Sequence, residues 1–244
     1  MNKEEFFEET ALLMYSHSDY SDVWPLFFGQ AEKYLSKFTK KYLFVDSEVE
    51  QPGWTTILYD DALSYNERFA SCLSHVDEKY CILHHEDMPL YDNPDIDTIS
   101  KLPACMEKNS LDYVKFLAIN LHVGQRVDKE LNVYKILNSE YLMAVQPSIW
   151  NTKKLLHIYE NTKIKNIQDF EIYASHIAKV SNITGSYIFN GEPLRGEFHH
   201  DSSVYPYVCT AVVKGKWDLK TYKLELGKLL EEYSIDPKQR GSHD

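Results

Sequence analysis

The hydrophobic positions of this chain form short apolar runs that alternate with segments of helical spacing. Four runs in the first half end in polar or acidic residues and read as buried strands: 11–15, 42–45, 55–59 and 80–83. Between them, apolar residues recur at helical spacing over 24–38 and again from 64 to 76. Strands that alternate with helices predict βαβ units and a largely parallel sheet. The first half is therefore expected to be an α/β layer of the nucleotide-binding type.

The second half has a less regular pattern. A helix is predicted over 98–108, with Pro103 ending its first part. Strands are predicted at 111–118 and 141–145, where apolar residues again cluster. This half therefore extends the sheet with fewer helices between its strands.

The last third of the chain carries three further signals. Asp169 fits the first turn of a helix, and the pair Asn190-Gly191 predicts a β-hairpin. A terminal helix is predicted over 219–233, and the polar residues 236–244 predict a flexible tail. Because no internal repeat or linker interrupts the pattern, the 244 residues are expected to form one domain.

The composition limits the classes of function. The formal net charge is -11 at pH 7, which argues against general affinity for DNA or RNA, whose binding depends on neutralising phosphates. In so acidic a protein, a divalent cation is the expected companion of any phosphate ligand. No apolar run reaches the roughly 18 residues of a membrane span, and the first residues do not form a signal peptide. A cytoplasmic protein without a transmembrane segment or a nucleic-acid partner is expected.

A group of titratable side chains directly follows one of the apolar runs. His84, His85, Glu86 and Asp87 close the strand predicted at 80–83. Charged groups at the end of a core strand need a partner, and open α/β sheets bind ligands at the carboxyl ends of their strands. Two adjacent carboxylates suit Mg²⁺ or Mn²⁺. The residues alone leave open the alternative of a solvated acidic turn.

Five short motifs, taken in order, resemble those of small GT-A-type glycosyltransferases that build bacterial or viral surface polysaccharides. They are residues 18–24 (SDYSDVW), 82–87 (ILHHED), 146–150 (QPSIW), 169–171 (DFE) and 215–217 (GKW). Their order and spacing are more specific than any one motif. The resemblance implies a single GT-A-like domain, in which 1–120 form the nucleotide-sugar-binding half and 121–235 the acceptor-side half.

The resemblance implies a metal-assisted transfer, with a UDP-sugar as the expected donor and a glycan as the acceptor. In such enzymes a DxD-like motif binds the metal and the donor diphosphate. Residues His85, Glu86 and Asp87 occupy that place here, with Asp87 the first metal ligand, Glu86 the second and His85 beside them. The sequence departs from DxD because a histidine replaces the first aspartate. The expected cofactor is Mn²⁺ or Mg²⁺.

Donor-binding residues are implied in three places. The loop after the first strand meets the nucleoside in such enzymes, which points to Ser16, Asp19 and Asp22. Arg68 could face the diphosphate or the ribose, and its alternative is a helix arginine that faces solvent. Arg195 belongs to a late polar cluster that could reach the phosphates, and its alternative is an exposed histidine-rich turn.

The sugar and acceptor sides are implied by two further motifs. Gln146 would bind sugar hydroxyls and Trp150 would stack on a sugar face, whereas the structural alternative for Trp150 is a buried anchor. Asp169 and Glu171 resemble the acidic motif on the acceptor side. Glu171 is the first candidate for the base that takes the acceptor proton and Asp169 the second. Their alternative role is compensation of a helix dipole.

Two other functions remain open at the level of sequence. A catalytically silent nucleotide-sugar-binding or interaction protein could have the same fold. A metal-dependent phosphohydrolase of the HD type is suggested by His84 and His85 together with His200 and Asp201. Such a site would need helical surroundings, whereas both pairs adjoin predicted strands. P-loop, Rossmann, zincin and serine-hydrolase signatures are absent from the sequence.

Overall fold

A computed structural model of the chain describes residues 1–119, 124–137, 142–164, 167–196 and 199–243. Its helices are α1 (Lys3–Glu9), α2 (Trp24–Leu35), α3 (Tyr65–Leu73), α4 (Ile96–Ile99), α5 (Leu102–Asn109), α6 (Thr152–Asn161), α7 (Ile167–Val180), α8 (Lys223–Glu232) and α9 (Pro237–Arg240). Its strands are β1 (Thr10–Tyr15), β2 (Lys41–Val45), β3 (Thr55–Leu58), β4 (Tyr80–His85), β5 (Tyr113–Lys115), β6 (Arg126–Asp128), β7 (Val133–Lys135), β8 (Ser148–Asn151), β9 (Gly185–Ile188), β10 (Leu194–Arg195), β11 (His199–His200), β12 (Val212–Val213), β13 (Lys216–Asp218) and β14 (Ser242–His243).

One large sheet organises the described part of the chain. Its nine strands follow the order β3-β2-β1-β4-β8-β5-β9-β7-β6. Only β7 and β8 run opposite to the other strands of this sheet. This mostly parallel sheet with helices on its faces confirms the predicted α/β class.

The central strands are apolar on both faces because helices cover both sides of the sheet. All six residues of β1 and all six of β4 are buried. Leu12 and Met14 pack with α2 on one face, while Leu13 packs with α3, α6 and α7 on the other. Residues of a strand alternate between the two faces of the sheet. Each polar side chain near a strand end therefore points to one face and contacts only the groups on that face.

The first half follows the predicted pattern closely, and α3 shows why. Ser64 and Glu67 form a capping box at its start, in which each side chain meets the backbone N–H of the other residue. Pro103 lies in the first turn of α5, so the helix predicted over 98–108 is divided into α4 and α5. A proline is tolerated there because the first turn has no intrahelical bond to lose.

The second half differs from the prediction at two places. Of the strand predicted at 141–145, Tyr141 lies outside the described residues and residues 142–145 form bends rather than a strand. The strand is β8, which lies antiparallel between β4 and β5. Gly191 has a φ of +86° and does turn the chain. The described residues of the flanking segments do not pair as a hairpin, because β9 is already held by β5 and β7; residues 197–198 of the predicted second arm lie outside the described ranges. Instead β10 pairs with β11.

The C-terminal residues are ordered against the domain. The helix predicted over 219–233 is confirmed as α8. Residues 236–243, predicted to be a flexible tail, form α9 and β14 and are called the C-terminal strap below. β14 pairs in parallel with β13, which satisfies the backbone groups of the strap. Among the described residues, no helix is long and apolar enough to cross a membrane.

Candidate functional site

The carboxyl ends of β1 and β4 form the topological switch point of the sheet. From β1 the chain goes to β2 on one side, while β4 lies on the other. Tyr15 at the end of β1 pairs with His85 at the end of β4. Ser16 and Glu86 therefore leave neighbouring strands at the same edge, where their side chains interact. This is where ligands of open α/β sheets bind.

Glu86 and Asp87 place two carboxylates at this edge. Burial raises the pKa of both, and repulsion from Asp87 raises the pKa of Glu86 further. The Asp87 carboxylate accepts a hydrogen bond from the backbone N–H of Val212, and its carbonyl accepts one from Ala211 at 2.8 Å. One buried and one partly buried carboxylate, with hard oxygen atoms, are a donor set that suits Mg²⁺ or Mn²⁺.

The histidines before them do not join these carboxylates. The ring of His84 is hydrogen-bonded to the Leu13 carbonyl at 3.2 Å and to the Tyr205 hydroxyl at 2.6 Å. His85 lies on the opposite face, and its Nε2 is hydrogen-bonded to the Tyr65 hydroxyl at 3.1 Å. Burial lowers the pKa of both histidines to about 4, so both are neutral near pH 7.

His85 is thus directed into a tyrosine cluster, and its prediction as a metal ligand is not supported by this geometry. In the described ranges, no three histidine, cysteine or acidic side chains are grouped to hold a metal. A cation at Glu86 and Asp87 would therefore take its other ligands from phosphate or water. The His84–His85 and His200–Asp201 pairs of the HD-type alternative likewise form no such group.

The loop after β1 holds its predicted donor residues in three different ways. Ser16 is buried, and its hydroxyl accepts a hydrogen bond from the Trp24 indole at 2.7 Å. The Asp19 side chain is 84% exposed. Asp22 accepts two hydrogen bonds from the Arg240 guanidinium, one of them at 2.9 Å. Ser16 thus lies against the carboxylates, whereas Asp19 and Asp22 form the outer side of this loop.

Arg240 is a basic residue at this edge that the sequence analysis missed. Besides Asp22, it donates to the carbonyls of Gly215 and Asp19 at 3.3 and 3.4 Å. Its guanidinium lies 4.8 Å from the centre of the Tyr20 ring, and its charge acts on Glu86. No pattern in the sequence predicts this contact, because Arg240 belongs to the polar residues 236–244 that predicted a flexible tail.

Arg68 points along the sheet edge and is only 22% exposed. Its Nε donates to the Leu63 carbonyl at 2.8 Å, and its Nη1 pairs with Asp61 at 2.8 Å. The guanidinium also lies 5.5 Å from the Tyr59 ring centre and bonds to Tyr15 at the end of β1. Arg68 is thus held by neighbouring residues of the chain at the border of the loop after β1, and its role toward a donor stays a prediction.

The two residues predicted to bind the sugar, Gln146 and Trp150, differ in whether they have a group free to bind it. Gln146 is 4% exposed, and its Nε2 has no hydrogen-bond partner in the part of the chain that is described. Trp150 has no exposed surface; its ring stacks on Tyr113 at 3.9 Å and its indole donates to the Ser148 hydroxyl at 2.9 Å. Trp150 is the buried anchor, and its ring has no free face for a sugar.

The two candidate bases lie near the start of α7, Asp169 in its first turn and Glu171 two residues later. Glu171 is half-buried, and its Oε1 accepts the Val145 N–H at 2.7 Å. Asp169 is exposed. The charges of Asp87 and Glu171 both act on the thiol of Cys209. Burial raises the pKa of Cys209 to about 12, so this thiol is neutral and not a nucleophile.

Lys115 is a second residue that the sequence analysis missed. It ends β5, is 3% exposed, and interacts electrostatically with Glu171. Burial lowers its pKa to about 7, although Glu171 opposes this shift. The signal was available, because Lys115 is the one lysine inside the apolar run 111–118.

Arg195 is occupied by partners of its own. Its guanidinium pairs with Asp201 at 2.9 Å and Glu225 at 2.8 Å, and lies 4.8 Å from the Tyr222 ring centre. His200 is buried rather than part of an exposed turn. The geometry therefore shows Arg195 fixing the start of α8, without a contact to Glu86 or Asp87 in the described residues.

Comparison with known proteins gives only distant likenesses. No family model and no curated protein matches this chain. A CMP:2-keto-3-deoxy-manno-octonic acid synthetase complexed with CTP is similar over 74% of this chain and 89% of its own, at 11% identity and a TM-score of 0.45. The S. aureus TarS 1–349 structure is similar over 94% and 66%, at 12% identity and 0.49.

The bifunctional IspDF from Campylobacter jejuni is similar over 81% of this chain and 52% of its own, at 14% identity and a TM-score of 0.48. This chain spans 36% of the full TarS structure, at a TM-score of 0.47. All of these scores lie below 0.5, so the likenesses do not assign an activity to this chain.

Proposed function

We propose that this protein is a glycosyltransferase that moves a sugar from a nucleotide-diphosphate donor, a UDP-sugar first, to a hydroxyl group of a glycan. One observation carries the proposal. The buried carboxylate of Glu86 and the partly buried carboxylate of Asp87 lie at the ligand-binding edge of the sheet, and the charges of Asp87 and Glu171 both act on the Cys209 thiol. The proposal places the diphosphate-metal group at this edge and the base at Glu171.

Acidic and basic groups together would bind the nucleotide-sugar donor. Asp87 and Glu86 fit Mn²⁺ or Mg²⁺, which when bound would supply positive charge for the leaving diphosphate. Ser16 and Arg68 border the loop after β1, where the nucleoside would bind, with Asp19 and Asp22 on its outer side. Arg195 is excluded from this set because Asp201 and Glu225 already hold it.

The transfer step would be a direct displacement. The acceptor oxygen forms a bond to the anomeric carbon, and the bond from that carbon to the diphosphate oxygen breaks with its electron pair on the diphosphate. The acceptor proton passes to Glu171, with Asp169 as the second candidate. Gln146 would donate its unpartnered N–H to a sugar hydroxyl, which would satisfy a buried group that otherwise lacks a bond.

The proposal is tested with a panel of UDP-, GDP-, CMP- and dTDP-sugars, with and without Mn²⁺. Donor turnover by the natural chain, whether transfer to glycans or hydrolysis, is the expected result. Asp87→Ala should abolish turnover and the metal dependence of donor binding. Asp77→Ala is the matched control, because Asp77 is an exposed aspartate just before the same strand, β4. Full turnover by Asp87→Ala would refute the site.

A catalytically silent nucleotide-sugar-binding protein is the second candidate. The observation that favours it is the direction of His85, which leaves the two side chains of Glu86 and Asp87 for a metal within the described ranges. Thermal stabilisation by a nucleotide sugar, without transfer or hydrolysis at any metal concentration, would identify this function. No stabilisation by any donor would contradict both candidates.

A further inference from the structure

Helix α7 exposes several apolar side chains on its outer face. Ile172, Tyr173 and Val180 are 57%, 54% and 61% exposed. With about 3.6 residues per turn, these three and Lys179 fall within about a third of the helix circumference, on the side away from the residues that α7 buries. In the part of the chain that is described, no other helix or strand exposes more than one large apolar side chain. Single exposed apolar residues are ordinary, whereas a group of them on one face indicates a contact surface.

The start of α6 lies at the same end of the helical layer as the end of α7. His157 of α6 is hydrogen-bonded at 2.8 Å to the hydroxyl of Ser181, which directly follows α7. Lys154, in the first turn of α6, pairs with Asp112 at 3.6 Å. The carboxylate of Asp112 also accepts the N–H of Thr184, a few residues after α7, at 2.8 Å. The first turn of α6 is therefore near the last turn of α7.

The charge of this region is opposite to that of the whole chain. Residues 152–181 carry five lysines and three acidic residues, although the formal net charge of the chain is -11. Lys153 and Lys154 lie in the first turn of α6, which has no acidic residue. Cations at a helix N-terminus oppose the helix dipole, so the stability of α6 does not explain these two lysines. Of Lys153, Lys154 and Lys179, only Lys154 forms an ion pair among the described residues.

We propose that the outer face of α7 and the first turn of α6 form a docking surface for an anionic membrane, which the protein contacts without crossing it. This α6–α7 surface consists of Lys153, Lys154, Ile172, Tyr173, Lys179 and Val180. Its lysine amines pair with lipid phosphates, while its apolar side chains enter the boundary between the head groups and the acyl chains. Tyrosine suits that boundary because its ring is apolar and its hydroxyl is polar.

Two other occupants fit this surface less well. A second copy of the chain needs about 800 Å² on each partner, whereas three side chains on one helix face form an apolar patch on the order of a few hundred Å². A nucleic acid would use the lysines, since its affinity comes from phosphate neutralisation, and would leave Ile172 and Val180 without a partner. The acidic remainder of the chain does not prevent contact with lipid, because exposed charges beyond about 8 Å are largely screened at physiological ionic strength.

Co-sedimentation with lipid vesicles tests the α6–α7 surface and needs no sugar transfer. The natural chain should bind vesicles of equimolar phosphatidylcholine and phosphatidylglycerol, and should bind vesicles of phosphatidylcholine alone about tenfold less. Raising the salt from about 0.1 M to about 1 M should release the protein, because the Debye length falls from about 10 Å to about 3 Å. No binding to the anionic vesicles, or equal binding to both kinds, would overturn the proposal.

Paired substitutions show which side chains make the contact. Lys153→Gln with Lys179→Gln should weaken binding by roughly tenfold or more, since each lysine near an anionic surface contributes about fivefold. Ile172→Ser with Val180→Ser should weaken it by a similar factor, because the burial of each methylene group contributes about fourfold. Unchanged binding in both pairs would show that the contact lies elsewhere and would overturn the proposal.

Leu224→Ser with Lys228→Gln is the matched control. Both residues are exposed and lie one turn apart on α8, which packs in a different cluster of core residues from α7. Vesicle binding should change less than about twofold in this variant. A loss equal to that of the pairs on α6 and α7 would show that exposed side chains of these types suffice anywhere, and would overturn the assignment of the surface.

A measurement on the natural chain does not depend on the folding of any variant. Acetylation of lysine amines, followed by mass spectrometry, should slow at Lys153 and Lys179 when anionic vesicles are added and should stay unchanged at Lys228. No protection at Lys153 and Lys179, or equal protection at Lys228, would overturn the proposal. Light scattering of the lipid-free protein tests the second-copy alternative. A dimer that the substitutions at Ile172 and Val180 dissociate would identify a self-interface and likewise overturn the proposal.

Discussion

At the scale of single residues, burial sets which groups at the sheet edge are charged. His84 and His85 are neutral near pH 7 because burial lowers the pKa of each to about 4. Lys115 is the opposite case, because its buried position lowers its pKa only to about 7 and Glu171 favours its charged form. The edge therefore holds acidic groups and one buried lysine that titrates in the physiological range.

Lys115→Met is expected to stabilise the protein against unfolding, and most strongly at low pH. The lowered pKa of Lys115 arises first from burial, so between about pH 7 and its ordinary value of 10.5 the unfolded chain retains a proton that the folded chain has released. Stability due to Lys115 therefore rises with pH over this window, and below it the folded state carries the buried charge in full. Methionine removes the titrating group.

Thermal unfolding of the natural chain and of Lys115→Met at about pH 6 and about pH 9.5 measures the effect. The variant should gain melting temperature at the lower pH and lose most of that gain at the higher one, with about 2–4 °C for each kcal/mol in a chain of this length. A gain that is equal at both values would contradict a titrating Lys115. Lys41→Met is the control, because it removes a lysine from another strand of the same sheet, β2, and shows how much of the change in melting temperature such a loss causes.

The sequence could predict the position of Glu86 and Asp87 but not the directions of their neighbours. An apolar run that ends in acids marks the carboxyl end of a strand, and the structure places both carboxylates there. Because side chains alternate along β4, His84 and His85 point to opposite faces of the sheet. Their hydrogen-bond partners there, Tyr205 for His84 and Tyr65 for His85, are distant in the sequence. The sequence pattern thus predicts where the strand ends, whereas the partners of the two histidines are set by long-range packing.

At the scale of elements, the C-terminal strap joins the end of the chain to its beginning. Arg240 reaches Asp22, which lies 218 positions earlier, and β14 fixes the strap by pairing with β13. The residues 236–244 have no apolar periodicity, so their sequence predicted a tail. Their order comes from backbone pairing and one guanidinium, neither of which leaves a hydrophobic pattern.

Arg240→Ala is expected to loosen the loop after β1. The substitution removes the pairing with Asp22, the bonds to the Gly215 and Asp19 carbonyls and the contact with the Tyr20 ring. Because Asp22 is partly exposed, the loss of unfolding free energy should be only about 1 kcal/mol. Faster amide hydrogen exchange at residues 18–22 is the more sensitive measurement, since local opening can change without global unfolding.

Lys238→Ala provides the control for the strap. Lys238 is exposed on the same short helix, α9, so its loss should leave exchange at residues 18–22 unchanged. If Arg240→Ala also leaves that exchange unchanged, the strap does not hold the loop, and its contact with Asp22 is incidental to the site.

At the scale of the whole molecule, the sheet interleaves the two halves of the chain. β8, from the second half, lies between β4 and β5 of the first half and pairs with both. The first four strands follow a pattern of local βαβ units, which is why the sequence predicted them well. The position of β8 is set by its pairing with β4 and β5, which lie roughly 30 to 70 residues earlier in the chain. Local hydrophobic periodicity does not predict which strands pair over such a separation.

This interleaving predicts that the chain unfolds as one unit. If the halves 1–120 and 121–235 were separate domains, each would lose its own structure at its own denaturant concentration. Because β4 and β5 have β8 as their shared neighbour, loss of the second half would leave their backbone groups unpaired, and the first half should unfold at the same denaturant concentration.

Tryptophan fluorescence and far-ultraviolet circular dichroism across a urea titration should give coincident transitions with one midpoint. Trp24 and Trp54 report on the first half, and Trp150 and Trp217 on the second, so variants that retain one pair can follow each half separately. Two resolved midpoints would show that the shared sheet does not couple the halves, and the donor and acceptor sides could then be altered independently.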